Sequence, residues 1–115
     1  MTDLAERRCI PCSGGAAPLT SEQIAPLLAQ IDGWEVVCNH HLQKTYRLPD
    51  FAQALALVNR IGAIAEEQDH HPDLLLAWGR VEVKIWTHKI DGLTESDFVF
   101  AAKCDRAAGG VSTRR

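Results

Sequence analysis

Apolar residues along this chain recur at two periods, and the switches between them mark out the elements. Ile24, Leu27, Leu28 and Ile31 fall at i, i+3, i+4 and i+7, the stripe of a helix. Thr20, with Gln23 three residues on, is spelled as a capping box for its start. Asp32-Gly33 closes it. Pro26 fits poorly inside, because proline removes a helical hydrogen bond, so an irregular start or a regular turn beginning near Pro26 is expected. From Trp34 to Cys38 and from His41 to Leu48 the pattern becomes that of strands. Leu42, Tyr46 and Leu48 lie to one side, and Asn39-His40 makes the turn. Asp50 then caps a long helix, with Gln53 at the capping-box position. Its stripe is Phe51, Leu55, Val58, Ile61 and Ala65; it ends near Gln68, and Gly62 within it is expected to mark close packing. Residues 72–78 and 81–88 read as two more strands around a tight turn at Gly79-Arg80. Thr94 caps a last helix that runs to about Arg106, with Asp97 in its first turn.

The order is helix, hairpin, helix, hairpin, helix. It predicts an α+β fold of two layers, a four-stranded antiparallel sheet with helices on one face. Residues 19–106 form the expected folded unit. Residues 1–18, with the unpatterned Ser13-Gly14-Gly15-Ala16-Ala17-Pro18, are expected as a flexible leader, and residues 107–115 as a flexible tail.

Composition narrows the function. A chain of 115 residues suits one domain with a modest core. Twelve Lys and Arg against fifteen Asp and Glu leave a net charge of −3. That is neither the basic surface of a nucleic-acid binder nor a polybasic membrane anchor. No apolar run approaches the roughly 20 residues of a membrane span, and no apolar signal core follows the N-terminal charges. A cytoplasmic protein is therefore expected, with Cys9, Cys12, Cys38 and Cys104 mostly reduced. Cys9-Ile10-Pro11-Cys12 has no second cysteine pair to complete a zinc site and no strand-to-helix turn to make a redox motif, so it reads as reduced thiols in a leader. Cys38 and Cys104 read as half-buried small residues, Trp34 and Trp86 as packing residues, and His40-His41 as solvated at a hairpin turn.

The second hairpin carries the chemistry. With the turn at Gly79-Arg80, Leu76 faces Val83, Leu74 faces Ile85 and His71 faces His88, because opposed residues share one side of a sheet. Trp78, Leu76, Leu74, Val81, Val83 and Ile85 then make an apolar face, and Leu75, Asp73, His71, Glu82, Lys84, Trp86 and His88 the other. His70 stands at the strand entrance, Glu66 lies four residues before it on the helix, and Asp97 is expected to turn toward the same pocket. Three imidazoles and two carboxylates converging in this way suit general acid–base work near neutral pH. A zinc site is the competing chemistry for three histidines. It is disfavoured because adjacent side chains on a strand point to opposite faces, which keeps His70 and His71 off one ion.

The run Glu66-x-x-x-His70-His71-Pro72, followed by Trp78, His88 and Asp97, resembles the signature of pterin-4a-carbinolamine dehydratases. The resemblance extends over about residues 19–106 and takes in the Thr20 helix start, Gly33-Trp34 and Pro49-Asp50-Phe51. It implies a four-stranded antiparallel sheet with helices on one side, assembled as a homodimer or homotetramer. It implies dehydration of 4a-hydroxytetrahydropterin to quinonoid dihydropterin, in the recycling of the tetrahydropterin used by aromatic amino acid hydroxylases, with no metal or organic cofactor. By resemblance His70 and His88 are the acid and base, His71 holds the pterin, and Glu66, Trp78 and Asp97 support the site. The alternative from another class is a binding or assembly protein: relatives of this fold serve as a transcription-factor dimerisation partner or as an assembly factor for carbon-fixing enzymes. Retention of all three histidines favours the enzyme.

Overall fold

The computed structural model describes residues 4–6 and 17–109. The Cys9/Cys12 motif, the glycine-rich stretch before Ala17 and the tail beyond Gly109 lie outside the described residues. The elements follow the expected order: α1 (Ser21–Leu28), β1 (Glu35–Val37), β2 (His41–Arg47), α2 (Phe51–Gln68), β3 (Asp73–Ala77), β4 (Arg80–Ile85) and α3 (Glu95–Ala108). All strand pairs are antiparallel, in the order β1-β2-β4-β3, so β1 and β3 are the edges.

The Thr20/Gln23 capping box forms in full, and Asp50 caps its helix from one side only. The Thr20 hydroxyl accepts from the Gln23 N–H while Gln23 Oε1 accepts from the Thr20 N–H, and Asp50 Oδ1 accepts from the Gln53 N–H at 2.9 Å. α1 runs regularly through Pro26, which sits near its C-terminal end. There the bond that proline forgoes belongs to the helix's first turn, which water can satisfy. The β1–β2 turn spans Cys38 and Asn39, both in the left-handed region, with the His40 N–H donating to the Val37 carbonyl at 2.8 Å.

Leu42, Tyr46 and Leu48 are buried as their alternation requires; Leu42 faces Ile85 and Tyr46 faces Val81 across the sheet, while Val83 lies opposite Lys44. α2 and α3 close this core with Leu57, Ile61, Phe98 and Phe100, all fully buried. Each such side chain contributes about 1.5–3 kcal/mol relative to an exposed one. α2 buries Ala54, Leu57, Ile61, Ala65 and Gln68, a stripe rotated from the expected one, which leaves Phe51 and Leu55 at 44% and 41% exposure. Apolar residues occupy more than one face of this helix, so its period alone does not single out the buried one. A Cβ built on Gly62 meets nothing within 4 Å, so this glycine does not mark close packing.

Lys44 shares the buried face of β2 and is 4% exposed. Its Nζ donates to Asp105 Oδ1 at 2.8 Å and to the Asp32 carbonyl at 2.6 Å, beneath the rings of Trp34 and Tyr46. Tyr46 Oη and Trp34 Nε1 also donate to the Asp105 carboxylate. Burial, with Cys104 and Asp105 nearby, raises the Tyr46 phenol far above its ordinary range, so it remains a donor. Of the thiols expected to be half-buried, Cys104 is fully buried and Cys38 is exposed. Within the stretch expected as a leader, Leu4–Glu6 is a 3-10 turn docked on α3: Leu4 is buried and Lys103 Nζ donates to the Ala5 carbonyl at 2.9 Å.

The second hairpin turns one step earlier than its glycine suggests. Ala77 pairs with Arg80, Leu76 with Val81 and Leu74 with Val83, so the turn residues are Trp78-Gly79. Gly79 is needed for space: its carbonyl accepts from the Leu48 N–H at 2.9 Å, and a Cβ there would lie 2.9 Å from the Leu48 carbonyl oxygen. The register differs from expectation by two residues. Leu74, Leu76, Val81, Val83 and Ile85 therefore keep their shared face, because the side-chain period of a strand is two.

Candidate active site

Antiparallel pairing places the start of β2, the end of β4 and the start of β3 at one end of the sheet. All five histidines of the chain fall there: His40 and His41 at the entry to β2, His88 beyond β4, and His70 and His71 just before β3.

His70 is placed by the way α2 stops. Asp69 adopts a left-handed conformation (φ 53°, ψ 45°), and the His70 N–H bonds back to the Ala65 carbonyl at 3.1 Å, a Schellman-type closure. The His70 side chain then points inward, packing edge-on against Phe100 with centroids 6.0 Å apart. Its Nε2 lies 2.6 Å from Asp97 Oδ1. Asp97 is fully buried in the first turn of α3, and its other oxygen accepts from Thr87 Oγ1 at 2.9 Å and the Thr94 N–H at 2.8 Å. The Thr87 and Thr94 hydroxyls are themselves 2.9 Å apart. An ionised carboxylate only accepts, so His70 presents Nε2–H to it, and Nδ1 is the ring's other nitrogen.

His71 points the other way. Its Nε2 lies 2.7 Å from Glu66 Oε2, and both side chains are largely exposed. Glu66 was expected to reach His70 at i, i+4. It meets His71 because the helix ends at Asp69, and the stacking of side chains four residues apart ends with it.

His88 does not lie on a strand opposite His71. β4 ends at Ile85, and His88 opens a 3-10 turn, His88–Ile90, held by a bridge between Thr87 and Gly92. In the observed register the position facing His71 belongs to Trp86. The His88 ring packs on Trp86 with centroids 4.4 Å apart. Its neighbour Thr87 is a ligand of Asp97, so His88 is tied to the His70 site through one residue of backbone. Trp78, expected to support the site, sits in the β3–β4 turn with 68% exposure. About 17 Å of strand separates it from the histidines.

Three features at this end of the sheet were not indicated by the sequence reading. Thr87 and Thr94 complete the shell of Asp97, and Thr87, directly before His88, was the available signal. The third is the His40–His41 pair, expected to be solvated. Both are half-buried: their Nδ1 atoms are 3.0 Å apart, and their rings lie 5.1 and 5.8 Å from that of Trp86. Burial, then the charge of His40 and of Lys84, holds the His41 imidazole below its ordinary pKa.

Grooves of about 240 and 200 Å³ elsewhere on the surface have no histidine in their walls. Among the described residues no group of three or more His, Cys, Asp or Glu is arranged to hold a metal ion, and no helix is long and apolar enough to cross a membrane.

Fold and site together define a small two-layer α+β protein with imidazole–carboxylate pairs at one end of an antiparallel sheet. Comparison with known proteins gives the family. Residues 17–107 match the model described as pterin 4 alpha carbinolamine dehydratase. A protein of Rubrobacter xylanophilus, provisionally named pterin-4-alpha-carbinolamine dehydratase, is 58% identical over 106 residues, covering 92% of this chain and 99% of its own. A protein of Alkaliphilus metalliredigens with the same provisional name is 50% identical over 92% of this chain and 96% of its own. Among solved structures, a transcriptional coactivator/pterin dehydratase from Brucella melitensis matches with a TM-score of 0.76 and 32% identity, over 80% of this chain and 99% of its own. A pterin dehydratase-like protein identified as a RuBisCO assembly factor in the alpha-carboxysome shares the fold, with a TM-score of 0.59 and 24% identity over 67% of this chain and 90% of its own. The chain belongs to the pterin 4 alpha carbinolamine dehydratase family.

Proposed function

We propose that this protein dehydrates 4a-hydroxytetrahydropterin to quinonoid dihydropterin and water, using its histidines as general acid and base, in the recycling of tetrahydropterin. The observation that carries the reading is the His70–Asp97 pair. A buried carboxylate, itself held by Thr87 and Thr94, fixes one imidazole in a single tautomer and orientation. That is the arrangement proton transfer requires.

The chemistry is balanced by two proton movements. The C4a–O bond breaks and its electron pair leaves with the hydroxyl, which an acid protonates to water. A ring nitrogen loses its proton to a base, and its electrons close the new C=N bond. His70 and His88 serve as acid and base, since they lie at the same end of the sheet on separate loops and can address different sides of a bound ring. His71, exposed and paired with the exposed Glu66, holds the pterin. Glu66 keeps the His71 Nε2–H engaged and leaves Nδ1 for substrate. The protein acts in the cytoplasm as a homodimer or homotetramer and serves an aromatic amino acid hydroxylase pathway.

The test is a stopped-flow ultraviolet assay of 4a-hydroxytetrahydropterin dehydration, with wild type beside His71→Ala and His88→Ala. Acceleration well above the spontaneous rate, lost in both variants while their melting curves hold, is the expected result. Folded wild-type protein that gives no acceleration would overturn the reading and leave a binding or assembly role.

A further inference from the structure

Two of the five histidines have no part in the proposed chemistry, yet they are built into the same end of the sheet. His40 Nε2 lies 2.6 Å from Asp91 Oδ1, and His40 Nδ1 lies 3.0 Å from His41 Nδ1. Both rings pack against Trp86, whose ring carries His88 at 4.4 Å. The β1–β2 turn is also fastened from behind, where Asn39 Nδ2 donates to Ser21 Oγ at 2.8 Å. The 3-10 turn that bears His88 thus has two attachments. On one side Thr87 is bonded to the buried Asp97; on the other, Asp91 and Trp86 are bonded and packed to the histidine pair. His88 stands between them.

We infer that His40 and His41 are positioning residues, a brace that fixes the Trp86 ring and through it the His88 imidazole. The inference rests on the dehydratase reading for its catalytic consequence, but not for its geometry. The brace has an internal logic. Two Nδ1 atoms at 3.0 Å share one hydrogen, so one imidazole donates and the other accepts. With Nε2–H of His40 directed at Asp91, the accepting ring is neutral. A second proton on the pair sets two N–H groups against each other and opens the contact. The groups facing His41 are His40, Lys84, Gln43 and Asp73; burial, His40 and Lys84 oppose its protonation, whereas Gln43 and Asp73 favour it. The groups facing His40 are Asp91 and His41. The brace is therefore closed at neutral pH and opens on acidification.

The experiment compares wild type with His40→Gln and Asp91→Gly. The first can still donate to Asp91 but brings no ring to Trp86. The second removes the carboxylate at a left-handed position (φ 52°) that glycine occupies without strain. Two quantities are read: the proton and carbon shifts of the His88 imidazole, which sense the ring current of Trp86, and kcat and KM for dehydration. Trp86→Leu supplies the shift of His88 without the indole. The expected result is a His88 signal moved toward its position in Trp86→Leu in both variants. It is accompanied by a loss of up to about 10²-fold in kcat, the cost of a misplacement of about 1 Å, with KM little changed. An acidic limb of the pH profile that moves in His40→Gln accompanies it; a purely structural role leaves that limb in place. Unmoved His88 signals and unchanged kcat in both variants would overturn the inference. If wild type shows no dehydration, the proposed function has failed on its own, and the His88 signals alone decide: displaced, they support the brace; unmoved, they overturn it. If His40→Gln does not fold, Asp91→Gly, altered only at an exposed side chain, answers the same question.

Discussion

Asp97→Asn changes the charge of the site while leaving its shape. The carboxylate accepts three bonds: His70 Nε2–H at 2.6 Å, the Thr94 N–H at 2.8 Å and the Thr87 hydroxyl at 2.9 Å. An asparagine amide has one accepting oxygen. The Thr94 N–H cannot become an acceptor, so the oxygen must face Thr94 and Thr87, and the NH2 group must face His70. The contact survives only if the imidazole hydrogen moves from Nε2 to Nδ1. Each of the three bonds falls from a charge-assisted to a neutral one, and because they act as one network the cost is about 2–4 kcal/mol. At about 4–8 °C per kcal/mol for a domain this size, the variant melts earlier but folds. Its activity suffers more, because the nitrogen offered to substrate now carries a hydrogen where it had a lone pair. General acid–base catalysis is worth about 10²–10⁴ in rate, and a histidine in the wrong tautomer loses a comparable factor in the serine-protease triad. We expect kcat to fall by about 10²–10⁴ with KM little changed. A long-range proton–nitrogen correlation spectrum reads the tautomer of His70 directly, and the stopped-flow assay reads the rate. A variant with the flipped tautomer and wild-type kcat would refute the role of His70 as acid or base. Asp97→Ala instead leaves the His70 Nε2–H and the Thr94 N–H without their carboxylate, at about 1–3 kcal/mol each, while the Thr87 hydroxyl can still bond to that of Thr94; it is expected to melt below Asp97→Asn.

Gly62→Ala should raise stability by up to about 1 kcal/mol, seen as a higher melting temperature, because the helical site has room for the methyl; a fall would show that the space is used. His41 titrates below its ordinary 6.5 in the folded chain, so as pH falls the unfolded chain takes up the proton first. Stability is intact above pH 6.5 and declines below it toward the folded value. His41→Gln should therefore lose less melting temperature than wild type between neutral and mildly acidic pH, and an equal loss in both would sink the assignment. Asp105→Ala removes the acceptor shared by Lys44, Tyr46 and Trp34. It should cost about 2–4 kcal/mol in urea denaturation, since the Lys44 ammonium stays buried with one carbonyl partner; a cost below about 1 kcal/mol would mean that water replaces the carboxylate.

The fold was legible because its punctuation is local. Thr20/Gln23 and Asp50/Gln53 cap the two helices they should, since a cap is a contract between residues three apart. The alternation of Leu42, Tyr46 and Leu48 survives folding because a strand's two faces have a fixed period. What local signals miss is competition between neighbours in space. Gly79 reads as the first residue of the turn and is the second, set against the Leu48 carbonyl oxygen, a neighbour that only the folded sheet supplies. Lys44 has the same parity as Leu42 and Tyr46, and Asp105, far along the chain, is what holds its ammonium inside. α2 carries apolar residues on more than one face, so only the packing of the sheet decides that Ala54 and Leu57 go in while Phe51 and Leu55 stay out.

The meeting of the candidate residues at one end of the sheet was legible by residue type and their pairing was misread, and the two halves have different causes. Histidine and carboxylate at the entrance and exit of a hairpin must meet at one end of the sheet whatever the turn, so His70, His71, His88 and Asp97 are brought to the same end even though the register moved by two. Which carboxylate serves which histidine depends on single dihedral angles. One left-handed residue, Asp69, ends α2 a residue before His70. That single turn sends His70 inward to a buried aspartate and His71 outward to Glu66. It therefore separates the two histidines into one that is oriented by the protein's interior and one that is free to meet a ligand from solvent. The same step shows why removing each should be felt differently. Replacing His70 opens a gap beside Phe100 and unpairs Asp97, costing stability and rate together. Replacing His71 breaks an exposed pair worth less than about 1 kcal/mol, so any loss of rate there is a loss of chemistry or binding and not of fold.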